Sequence, residues 1–138
     1  MPLPSCRVTP GMTSNAEGIL SPFLRGGDGM AYRLALSTIN DRRGAEELAR
    51  ALLADHLVAC VNILGPVTSL YHWHGNIVQD QEYLLIMKTM ASREEALTTR
   101  IQELHPYDVP EVLFVPIEAG SPGYLQWLAA AVTLSVAR

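Results

Sequence analysis

Apolar residues along the chain follow two spacings, and each change of spacing marks a new element. "AYRLALSTI" (31–39) alternates over a short run, the pattern of a strand. "NDRR" follows, with Asn40 or Asp41 placed to cap a helix. Ala45, Leu48, Ala49, Leu52 and Leu53 then recur at helical spacing through "GAEELARALLADH". "LVACVNIL" is almost continuously apolar and predicts a second strand. Gly65-Pro66 interrupts it, and "VTSLYHW" resumes with strand character. "HGN" turns the chain, and "IVQDQEYLLIMKT" returns as a long third strand.

"ASREEALTTRIQELH" predicts a second helix. Ser92 and Glu95 have the spacing of a capping box, in which each side chain satisfies an orphan amide at the helix start. Ala96, Ile101 and Leu104 form the expected buried stripe. Two prolines in "HPYDVPE" end the helix, and "EVLFVPIEA" predicts a fourth strand. Ser121-Pro122 then reads as a cap followed by proline at the first position of a third helix, "GYLQWLAAAVTLSV".

The order βαββαβ plus a C-terminal helix predicts an α+β fold, the ferredoxin-like sandwich of one sheet with helices on one face. Its strand order, 4-1-3-2, places the second and fourth strands at the edges. Those are the strands with internal prolines, Pro66 and Pro116, which cannot donate to a ladder and belong at edges or bulges. The hairpin from Leu57 to Lys88 has arms well beyond the usual five or six residues. Arms of that length leave Val67, Leu70 and Ile77 uncovered, so the hairpin predicts an oligomer.

The chain of 138 residues is long enough for one domain, assigned to residues 31–138. Residues 1–30 are rich in Pro, Ser, Thr and Gly and are expected to be a disordered tail or an extension ahead of a true start at Met30. An apolar content of 49% supports a core, and 17% charged residues is low for a disordered chain. The net charge of −4 is dispersed, with no basic stripe for a nucleic acid. No apolar run reaches the length of a membrane span. Cys6 and Cys60 stand far apart without zinc or redox spacing, which points to free thiols in a reducing, cytoplasmic compartment. There is no P-loop and no G-x-S-x-G elbow, so no enzyme is expected.

The most conspicuous chemistry is "YHWHGN" (71–76). In an extended strand His72 and His74 place both rings on one face. The pair is either a solvated hairpin tip or a surface chelate for copper(II), nickel(II) or zinc, completed by water or another subunit.

"VACVNILGPVTSLYHWHG", "EYLLIMKT", "ELHPYDVPE" and "YLQWL", in that order and spacing, resemble the CutA family of divalent-ion-tolerance proteins. The resemblance covers about Ala31 to Leu134. It implies the ferredoxin-like fold and a homotrimer whose long hairpins pair between subunits, somewhat like the PII signalling proteins. It also implies tolerance of copper and other divalent ions, with copper(II) or another divalent cation as ligand, no required cofactor and no established catalytic reaction. Carried onto this chain, it points to Cys60, His105 and Glu111 as metal-site residues. Trp73, Tyr107 and Trp127 are further family positions. Tyr71 and Asp108 join them as residues of a ligand cleft or interface. His72 and His74 fall between family-like residues and stand on their own chemistry. Some members carry a cysteine where this chain has Ser37, so a two-thiol copper(I) site lacks a ligand here. The alternative function is a PII-like module binding a small ligand or partner protein at clefts between subunits.

Overall fold

The computed structural model describes residues 24–25 and 31–133. The expectation for the N-terminal tail and Cys6 otherwise lies outside the described residues, as do the last residues of the predicted third helix. Leu24–Arg25 form a two-residue strand, β1. The domain continues through β2 (Tyr32–Ile39), α1 (Arg42–Ala54), β3 (Cys60–Trp73) and β4 (Asn76–Met90). A 3-10 turn (Ala91–Arg93) leads into α2 (Glu94–Leu104), then β5 (Leu113–Ile117), β6 (Ala119–Gly120) and α3 (Pro122–Val132).

The main sheet is antiparallel, in the order β3-β4-β2-β5. This is the predicted order, and both proline-bearing strands are edges. The short pair β1-β6 lies apart from that sheet.

Alternation assigns the two sheet faces. Ala35, Ile39, Leu85 and Met87 point to one face and pack with Leu48 and Leu52 of α1 and Leu97 and Ile101 of α2. The opposite face is covered only at one end, where Leu125, Leu128 and Val132 of α3 pack on Tyr32 and Met90. The prediction of helices on one face therefore holds for α1 and α2, while α3 takes the other. His56 Nδ1 sits 3.1 Å from the Ala131 carbonyl and ties the end of α1 to α3.

The rest of that second face stays open. By register it carries Leu34, Leu36, Leu64, Leu84, Ile86 and Val115. Leu64 and Val115 are 43% and 41% exposed, and the other four are half-buried.

β3 and β4 run for 14 and 15 residues and join through a tight turn at His74 and Gly75, both with positive φ (48° and 78°). Two such residues make the turn whose twist matches a hairpin. Leu70 and Ile77 on the projecting arms are 65% and 74% exposed. A bulge between Leu64 and Val67 shifts the phase of β3 by one residue. Val67, Ser69 and Tyr71 thereby continue the open face alongside Glu82, Asp80 and Val78.

Helix ends differ in how they met expectation. Asp41 caps α1 by accepting the Gly44 amide at 2.8 Å. The Ser92–Glu95 capping box does not form, because the 3-10 turn absorbs Ser92 and α2 begins at Glu94 with no side-chain cap. That start shifts the buried stripe to Leu97 and Ile101 and leaves Ala96 and Leu104 exposed. Leu53 of α1 is likewise exposed. Ser121 occupies the cap position of α3 without a side-chain bond, and Pro122 takes the first helical position.

Candidate functional site

Pro106 stops α2, so His105 leaves the helix in an extended conformation while its amide still bonds to Ile101. The imidazole is buried against the end of β2. Its Nδ1 accepts the Tyr107 amide at 3.1 Å. Nε2 must therefore carry the proton, which it donates to the Thr38 carbonyl at 2.8 Å. Burial holds the His105 pKa below the ordinary imidazole value, so the neutral form fills this position.

The same turn delivers Tyr107. Its ring packs edge-on to His105, 4.5 Å between centroids. Its hydroxyl donates to Glu82 Oε2 at 2.7 Å. Glu82 is a β4 carboxylate only 3% exposed. Burial, with Glu82 as hydrogen-bond acceptor, pushes the Tyr107 phenol up, so it remains a donor. Glu111 is half-buried nearby, and burial followed by the charge of Glu82 raises its carboxyl pKa. Asp80, the next residue on that face of β4, accepts from Tyr71. Desolvation and Asp80 push that phenol up to about 12. Asp108 is exposed beside this cluster in sequence.

The five expected metal ligands do not converge within one chain. Cys60 pairs with Lys88, the carboxylate cluster centres on Glu82, and His72 pairs with Ile77. At about 3.3 Å per residue, these levels are separated by roughly 15 to 20 Å along β4. Among the described residues, no group of three His, Cys, Asp or Glu side chains is arranged to hold a metal ion. His105 is further removed from ligand duty because both its nitrogens bond to backbone. The expectation that His72 and His74 share a face also fails. β3 ends at Trp73, His74 sits in the turn, and its ring packs edge-on against Trp73 at 4.5 Å.

At the α3 end, Cys60 Sγ lies 3.6 Å from the Tyr124 hydroxyl. Their hydrogen bond, with some burial, raises the Tyr124 pKa to about 12. Trp127 is exposed and packs against Tyr124, 5.4 Å between centroids. Within one chain Trp73 and Trp127 thus mark opposite ends of the long hairpin. Ser37 points into the α1–α2 side of the sheet, whereas Cys60 is on the open face. A thiol at position 37 would face away from Cys60.

Glu82, Thr38 and Tyr124 were not singled out from sequence. Asp80 and Glu82 at alternate positions in "QDQEY" put two carboxylates on one strand face, and that was the available signal.

Four antiparallel strands with two helices behind and an overlong hairpin define a ferredoxin-like α+β domain whose open face is apolar. Residues 33–131 match the model of the family described as CutA1 divalent ion tolerance protein. The chain is 43% identical over 95 residues to the divalent-cation tolerance protein CutA of Thermus thermophilus, covering 69% of this chain and 92% of that protein. It is 43% identical over 94 residues to the mouse protein CutA, covering 68% of this chain and 53% of the relative, so it spans about half of that longer chain. The crystal structure of CutA1 from Oryza sativa superposes with a TM-score of 0.74 at 35% identity, over 83% of this chain and all of that one. The chain belongs to the CutA1 divalent ion tolerance family. The family and the Thermus thermophilus relative are named for divalent-ion tolerance. Among the described residues, no helix is long and apolar enough to cross a membrane.

Proposed function

We propose that this chain is a cytoplasmic, non-catalytic tolerance protein that assembles as a homotrimer and binds divalent cations, copper(II) foremost. The observation that carries this reading is the open sheet face, continuous with the projecting hairpin. Leu36, Leu64, Leu84, Ile86 and Val115 together make an apolar surface that a lone domain leaves in water. A second copy covering that face removes the surface from water, and closed cyclic symmetry favours a small ring of copies. Assembly also supplies what a single chain lacks, a way to bring ligands from different levels of the hairpin together.

Copper(II) leads the divalent series for nitrogen ligands. With His105 committed to backbone, the exposed imidazole of His72 and that of His74 are the nitrogen donors at the tip. Calorimetric titration of copper(II) into the full chain tests the reading. Uptake falls in His72→Ala/His74→Ala, and in the wild type it weakens below about pH 6 as imidazole protonates. If the histidine variant binds normally while Cys60→Ser abolishes uptake, the thiol carries the metal and the nitrogen assignment is wrong.

A further inference from the structure

Behind the sheet, on the side away from the open face, α1 and the end of α2 border a cavity of about 330 Å³. That is the size of a small-molecule pocket. Gly44, Glu47 and Leu48 line it from one stripe of α1, at helical spacing. Ile39 and Leu48, 2% and 4% exposed, form an apolar floor. Leu104 and Pro106, both exposed, form an apolar wall. Asp41 and Glu47 are the lining residues that carry charge, and both are exposed, so they stand at the mouth.

Gly44 keeps one corner of the cavity open. A Cβ there would lie 3.1 Å from Asp41 Oδ2 and 3.2 Å from Ile39 Cδ1. A carboxylate oxygen and an apolar methyl thus border the same small space. Asp41 Oδ1 accepts the Gly44 amide at 2.8 Å, whereas Oδ2 has no donor among the described residues. Glu47 is held by Arg43 at 3.1 Å in a solvent-exposed pair, which contributes little and exchanges readily.

A further feature comes from α2 and is independent of the acids. His105 leaves the helix extended, Pro106 has no amide hydrogen, and the Tyr107 amide is given to His105 Nδ1 at 3.1 Å. The Gln102 and Glu103 carbonyls therefore receive no amide from the residues that would continue the helix. No basic residue stands in the last turn, so the negative end of α2 is uncompensated beside Leu104 and Pro106. At α1, by contrast, Asp41 covers the positive end.

We infer that this cavity binds a small primary amine with a compact apolar body, taken up as the ammonium ion. The body displaces water from Ile39, Leu48, Leu104 and Pro106. The three N–H donors of the ammonium are met by Asp41 Oδ2, Glu47 and the carbonyl end of α2. The site lies behind the sheet, so it is separate from copper uptake and from the face assigned to assembly.

The test titrates phenethylammonium chloride into the isotopically labelled full chain and follows the amide resonances of Gly44 and Leu104 by NMR. Saturable shifts at both are expected. Methylammonium has the charge without the body, and hydrocinnamate has the body with the opposite charge. Each should bind at least about tenfold more weakly. Asp41→Asn keeps a cap on the Gly44 amide and removes the charge. Combined with Glu47→Gln it should weaken phenethylammonium binding about tenfold. Gly44→Ala, which fills the open corner, should weaken it by as much. Unchanged circular dichroism spectra separate lost binding from lost fold. The absence of a saturable shift, equal binding of hydrocinnamate, or an unchanged midpoint in Asp41→Asn/Glu47→Gln overturns the inference.

Discussion

The hydroxyl of Tyr107 donates to the buried carboxylate of Glu82 across 2.7 Å, joining the turn after α2 to the base of the hairpin. The two residues are 25 apart in sequence. Tyr107→Phe deletes the donor and leaves the carboxylate buried. The expected cost is about 1 to 3 kcal/mol. Urea unfolding should show a lower midpoint with an unchanged slope; an unaltered midpoint would mean that water replaces the phenol freely.

His105 gives stability a pH dependence of defined sign. Its folded pKa is lowered, chiefly by burial, so the unfolded chain takes up a proton first as pH falls. Its contribution is complete above about pH 6.5, the ordinary imidazole value, and is lost as pH falls towards the lowered one. Replacing His105 with Gln should reduce the fall in melting temperature between pH 7 and pH 5. An identical fall in both proteins would remove His105 as its source.

Gly65 allows the bulge to approach β4. A Cβ there would lie 2.6 Å from Tyr83 Cδ1 and 3.0 Å from the Glu82 carbonyl oxygen, at a φ of 153°. The ring is rigid and the carbonyl is backbone, so neither yields easily. Gly65→Ala should destabilise by about 1 to 3 kcal/mol, read by denaturant unfolding. Tolerance of the substitution would show that the arms can separate at the bulge.

Leu64 and Val115 are surface residues of the single chain, on β3 and β5 of the open face. Lysine at either position should leave the circular dichroism spectrum unchanged and shift the chain to smaller assemblies. Both variants keeping the wild-type mass would exclude the sheet face as the interface.

Strand order was legible from the βαββαβ element order, with Pro66 and Pro116 at the edge strands in agreement, and the cap of α1 because Asp41 precedes a clean helical stripe. The start of α2 was not legible, since a 3-10 turn and a capping box compete over the same "ASREE" residues. Site residues divided along the same line. Residues 105–111 stand out through the family resemblance of "ELHPYDVPE", but whether His105 binds a metal or a carbonyl depends on where β2 ends. Glu82 reads in sequence as an ordinary solvent-facing strand residue. Its hydrogen-bond donor, Tyr107, comes from a distant segment, and no local pattern records that. The open face was equally hidden, because it depends on α3 covering only one end of the sheet.

Self-assembly is the claim on which the rest of the functional account stands. Multi-angle light scattering of the full chain at micromolar concentration tests it most directly. Three copies of the 15.1 kDa chain predict a mass of about 45 kDa, independent of dilution over that range. A mass of one chain would contradict the account, leaving the apolar sheet face and the projecting hairpin without the partner they require.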